Sequence, residues 1–136
     1  MTGAAGIGPA GGHFTVPVLQ LGDVLLVTLQ GELHDGMAEQ LQQDITDRIS
    51  HTRVTGVVID ISGVEIVDSF LGRVLAEIAA GAGLLAARTV LAGMRPAVAI
   101  TLVELGLTLP GLRTALDVER AMELLGAASR PGEGSP

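Results

Sequence analysis

The chain has 136 residues, 48% of them hydrophobic and 17% charged, with fifteen acids against eight bases (all Arg) and a formal net charge of −7. That length fits one domain that buries about two thirds of its unfolded surface, and the composition excludes a wholly disordered chain. With no Cys, Trp or Tyr, the chain lacks the means for a disulfide scaffold, a thiolate zinc site, a cysteine nucleophile or an aromatic platform for bases, and its acidity disfavours nucleic-acid binding.

In chain order, residues 1–15 form an expected flexible arm, rich in Gly over the first thirteen positions. Val16–Leu21 and Val24–Leu29 read as two strands, joined by Gly22-Asp23 as a two-residue hairpin loop in which Gly supplies a positive φ. Asp35 is the expected cap of a helix over about 36–50. Its buried stripe is Met37, Leu41, Ile45 and Ile49, with Glu39, Asp44, Asp47 and Arg48 facing water. Val57–Ile61 is a β-branched run, apolar on both faces as an inner parallel strand should be. A loop over 62–68 leads to a helix of about 69–81 with Phe70, Leu71, Val74, Leu75 and Ile78 as its apolar positions, stopped by Gly81 and Gly83. Thr89–Leu91 is a further inner strand. Pro96 opens a helix to about 105, ended by Gly106. An extended piece near 107–116 precedes a last helix capped by Asp117, with Val118, Ala121, Met122 and Leu125 inward. Residues 126–136 read as a second loose tail, leaving 16–125 as the folded unit.

Strands alternating with helices imply an α/β domain with a mixed, mainly parallel sheet, an N-terminal hairpin and about four helices. Leu84–Val103, the longest apolar stretch, is broken by Arg88, Arg95 and Pro96, and the first 22 residues lack a basic start and an unbroken apolar block. A cytoplasmic protein with no membrane partner is therefore expected. The mean hydropathy of +0.52 implies that partners cover some of the apolar surface.

Ligand and partner contacts in such sheets favour loops at the carboxyl ends of strands, here those after Ile61 and Leu91. Asp68 and Ser69 stand where loop becomes helix. Either can cap the helix through its side chain, and a serine there lies beside unpaired N–H groups that tolerate a phosphate. Asp60, Glu65 and Asp68 could gather around Mg²⁺, and Asp60 could accept a phosphoryl group. Solvated loop carboxylates are the simpler reading. His13, His34 and His51 show no metal-ligand spacing, no GxSxG surrounds Ser69, and Gly81-Ala82-Gly83 matches no phosphate-binding loop. Thr101 inside the third helix reads as a side chain that is either bonded back to the preceding turn or packed. No catalytic residues, cofactor or metal site is expected.

The stretches Pro17-Val18-Leu19, Gly56–Asp60, Ile66-Val67-Asp68-Ser69-Phe70, Leu91–Ala99, Thr101-Leu102 and Glu104-Leu105-Gly106 together resemble the STAS family, and within it the RsbS-type scaffolds of the bacterial stressosome. The resemblance implies a non-enzymatic regulator whose matching serine, Ser69, is phosphorylated by an RsbT-type switch kinase. It implies a large hetero-assembly with RsbR-type modulators, or a homo-oligomer, and a PP2C-type phosphatase that resets Ser69. Glu65, Asp68, Ser69 and Phe70 would meet the partner. Thr101 matches a second phosphorylation position of the modulators, which an RsbS-type chain is not expected to use. The alternative within the family is a simple anti-sigma factor antagonist, which usually carries a small residue after the acceptor serine; Phe70-Leu71-Gly72 favours the scaffold. A small hydrolase or a receiver-like domain using Asp60, Asp68 and Ser69 is the reading from another class.

Overall fold

In a computed structural model of the chain, described for residues 16–107, 109 and 111–129, five strands form one sheet in sequence order. Strands β1 (Val18–Leu21) and β2 (Val24–Gln30) make the opening hairpin; β3 (Gly56–Gly63), β4 (Arg88–Ala92) and β5 (Leu112–Ala115) follow. The β1–β2 pair is antiparallel and closes at Leu21↔Val24, so the loop is Gly22-Asp23, with Gly22 at φ 66°. The remaining pairs are parallel. Their crossovers are α1 (Asp35–His51), α2 (Ser69–Leu84) and α3 (Pro96–Glu104), and α4 (Val118–Ser129) follows β5.

Alternation along the strands gives the sheet two apolar faces. Leu25, Val27, Leu29, Val57, Ile59, Ile61 and Leu91 share one core with Leu41, Ile45, Leu71, Val74, Leu75, Ile78, Val98 and Leu102 from α1, α2 and α3. Val24, Val58, Val90 and Ala92 face the other way, where Ala121 and Leu125 of α4 cover them. Three helices therefore lie on one face and one on the other. Gly56 sets how closely α4 approaches, since a Cβ there would come within 2.7 Å of Leu125 Cδ1.

Several local expectations need correction. The cap of α1 is His34, without a side-chain hydrogen bond; Asp35 is the first helical residue, where its charge still suits the helix dipole. Helix α2 does not stop at Gly81 and Gly83 but runs to Leu84. Each glycine costs a helix about 1 kcal/mol, yet Ile78, Ala79 and Ala82 bury their side chains there and carry the helix on. Its end is a Schellman motif without glycine: Ala86 N–H donates to the Gly83 carbonyl and Ala87 N–H to the Ala82 carbonyl, with Ala86 at φ 66°. Asp117 caps α4 as expected, its Oδ1 accepting from Arg120 N at 2.8 Å. That helix continues past 125 to Ser129, so the first residues of the expected tail are helical. The 1–15 arm and positions 130–136 lie outside the described residues. Among the described residues no helix is long and apolar enough to cross a membrane.

Candidate functional site

The loop after β3 is fixed from below by two buried anchors, Val64 and Val67, while Ile66 between them is 84% exposed. Two buried anchors three residues apart press the loop onto the core and leave one apolar side chain presented to solvent. At its start, Asp60 Oδ1 accepts from Ser62 N at 3.0 Å. Arg95, from the loop after β4, donates through Nε to the Ser62 carbonyl at 2.9 Å and stands 3.9 Å from Glu65. The ion pair is solvent-exposed and adds little; the hydrogen bond is what ties the two loops together. Gly93 makes the approach possible. It sits at φ 76°, and a Cβ there would lie 2.9 Å from Ser62 Cβ.

The loop ends on Asp68, the N-cap of α2, with extended backbone (φ −119°, ψ 179°). Its Oδ1 accepts from Leu71 N at 2.9 Å, and its carbonyl accepts from Gly72 N at 3.1 Å. Asp68 rather than Ser69 therefore fills the capping role. Ser69 is the first helical residue, exposed, and its hydroxyl makes no hydrogen bond within the described residues. A hydroxyl with no structural duty, at the positive end of a sixteen-residue helix, is free to be modified without breaking the cap.

Phe70 points partly inward and packs against the main core. Thr101 Oγ1 donates to the Ala97 carbonyl at 3.0 Å, the back-bonded one of the two arrangements open to it. The three acids do not converge: Asp60 holds Ser62, Glu65 faces Arg95 and Asp68 caps α2. Among the described residues no three His, Asp or Glu side chains group as metal ligands would. His34 caps α1 with its backbone, His51 Nδ1 donates to the Asp47 carbonyl at 2.8 Å, and His13 lies outside the described residues.

Two features of the site escaped the sequence reading. One is the Arg95–Ser62 bond, a contact between residues 33 apart that no periodicity announces. The other is a groove of about 360 Å³ alongside α2, lined by Ser69, Gly72, Arg73, Ala76, Gly106, Leu107 and Leu109. Gly72 is its floor: a Cβ there would overlap Leu107 Cδ1, so the chain after α3 lies directly against α2. The spacing of Ser69 and Arg73, one helical turn apart, was the available signal.

The STAS domain model matches residues 15–121. A serine-to-glutamate variant of RsbS from Moorella thermoacetica is 41% identical, with a TM-score of 0.75 over 85% of this chain and 97% of that one. A chain in a structure of the stressosome, described as a signal integration and transduction hub, is 42% identical, with a TM-score of 0.74 over 84% of this chain and 99% of that one. The RsbT co-antagonist RsbRD of Bacillus subtilis (strain 168) is 27% identical over 111 residues, 81% of this chain, which spans 40% of the length of that relative. On the matched family model and on the likeness to RsbS, the chain belongs to the STAS domain family.

Proposed function

We propose that this protein is a non-enzymatic scaffold of a stressosome-type complex, and that it binds a switch kinase of the RsbT type and releases it when Ser69 is phosphorylated, so controlling a stress response. The observation that carries the reading is Ser69 itself: exposed, without a partner, and placed beside a cap supplied by its neighbour. The likeness to RsbS and to a stressosome chain over nearly their whole length supports the scaffold role, and the likeness to an RsbT co-antagonist supports assembly with RsbR-type proteins. Exposed Ile66 before the serine and exposed Val103 and Leu105 at the end of α3 supply apolar contact for a partner on the same end of the sheet, with Glu65 and Asp68 as its polar rim.

The switch works by charge. Kinase-bound ATP gives its γ-phosphoryl group to Ser69 Oγ; the O–P bond forms, the hydroxyl proton is lost and ADP leaves. The product carries about −1.5 to −2 charge and three acceptor oxygens. The N-terminal end of α2 tolerates that charge, while Asp68 and Glu65 repel it, so the fold persists and the contact face changes. A PP2C-type phosphatase restores the hydroxyl by hydrolysis. Intact-mass spectrometry of the full chain incubated with such a kinase and ATP, followed by site mapping, should find one phosphoryl group on Ser69 and none on Thr101. Phosphorylation elsewhere, or none, contradicts the proposal. Sizing the chain with RsbR-type modulators separates a large particle, expected here, from the small complex of a simple anti-sigma factor antagonist.

A further inference from the structure

Arg73 has room, position and no prior engagement. It follows Ser69 by four residues on α2, which places the two side chains on one helix face with Cβ atoms about 6 Å apart, and both line the groove against Gly106 and Leu107. The other guanidinium near this end of the sheet, Arg95, is committed to the Ser62 carbonyl and to Glu65. Arg88 opens β4 at the opposite end, where its N–H bonds the Thr55 carbonyl. The acid that would compete for Arg73 on its own helix is Glu77, one turn on, and Glu77 Oε1 instead accepts from Gln42 Nε2 of α1 at 3.0 Å. Among the described residues Arg73 forms no ion pair.

We propose that Arg73 is the receptor for the phosphoryl group on Ser69, holding it away from the loop and in the groove between α2 and the chain after α3. The inference rests on the proposed modification of Ser69 and goes beyond it by saying where the phosphate rests. Acids flank the groove on both sides and leave one cation to receive a phosphate. Asp68, locked as the cap, and Glu65 push a phosphate away from the loop, and Glu104 ends α3 just before the groove. Arg73 is the cation within reach, with an acid preceding a base at four-residue spacing, the favourable order on a helix. A guanidinium engages phosphate with two parallel hydrogen bonds, and Gly106, beside whose missing side chain nothing lies within 4 Å, leaves space for it. The modified protein then presents a filled groove beside Leu105, in addition to new charge.

The test installs phosphoserine at position 69 of the full chain during translation, which needs no kinase. Following the phosphorus resonance against pH should show the second phosphate ionisation displaced downward in the otherwise unmodified chain relative to Arg73→Gln, by about half a pH unit or threefold in proton affinity. Arg113→Gln, on β5, should leave the curve unchanged. Superimposed titrations for Arg73 and Arg73→Gln would overturn the proposal. In the unmutated chain the Arg73 Nε–H resonance should also move on phosphorylation, and a stationary resonance would overturn it without any substitution. A kinase that fails to modify Ser69 would refute the functional reading and leave this titration standing, so the two failures are distinguishable.

Discussion

Removing the Asp68 carboxylate isolates what the start of α2 owes to its cap. Asp68→Ala deletes the acceptor of the 2.9 Å bond from Leu71 N and leaves that N–H to water. N-cap deletions of this kind cost about 1 kcal/mol, within a range of about 0.5–2. Loss of a negative charge at the positive end of the helix adds about 0.3–1 kcal/mol at low salt. The sum, about 1.5 kcal/mol, should lower the melting temperature by about 5 °C in a domain of this size. Asp68→Asn keeps the acceptor and loses only the charge, so it should recover most of the deficit. Ser69→Ala removes a hydroxyl without a partner and should be neutral within about 0.5 kcal/mol. Because the chain has no Trp or Tyr, the assay is urea or thermal unfolding followed by far-ultraviolet circular dichroism. A larger loss for Ser69→Ala than for Asp68→Ala would make the serine the cap and remove the ground for regarding its hydroxyl as free.

Two further substitutions test the packing. Ala86→Gly should raise stability by about 0.5–1 kcal/mol, because Ala86 holds φ 66°, which a side chain resists and glycine does not; a lower melting temperature would contradict the left-handed end of α2. Thr89 is 2% exposed and its Oγ1 has no partner, so Thr89→Val should leave urea stability unchanged or raise it by about 1 kcal/mol; a loss would reveal a hydrogen bond to that hydroxyl.

What the sequence made legible follows from the range of each signal. The run Val57–Ile61 is apolar on both faces because α1–α3 cover one side of β3 and α4 the other, and a two-sided run needs no distant information. Gly22-Asp23 and Asp117 are local chemistry and occur where expected. The start of α2 was narrowed to Asp68 or Ser69 but not resolved, since adjacent capping residues look equivalent until the backbone chooses one. The end of α2 misled because Gly81 and Gly83 carry a local stop signal that the burial of Ala82 overrides, while the true turn falls on Ala86. The Arg95–Ser62 bond depends on β3 and β4 being parallel neighbours, which strand order fixes and periodicity does not. The resemblance supplied what physics alone left open, namely which exposed serine to consider.

The most direct test compares the affinity of the switch kinase for the full chain unmodified, phosphorylated at Ser69 and carrying Ser69→Ala. The account predicts tight binding to the first and third and about 5- to 150-fold weaker binding to the second, the span of a coupling of about 1–3 kcal/mol. Equal affinity for all three would contradict it.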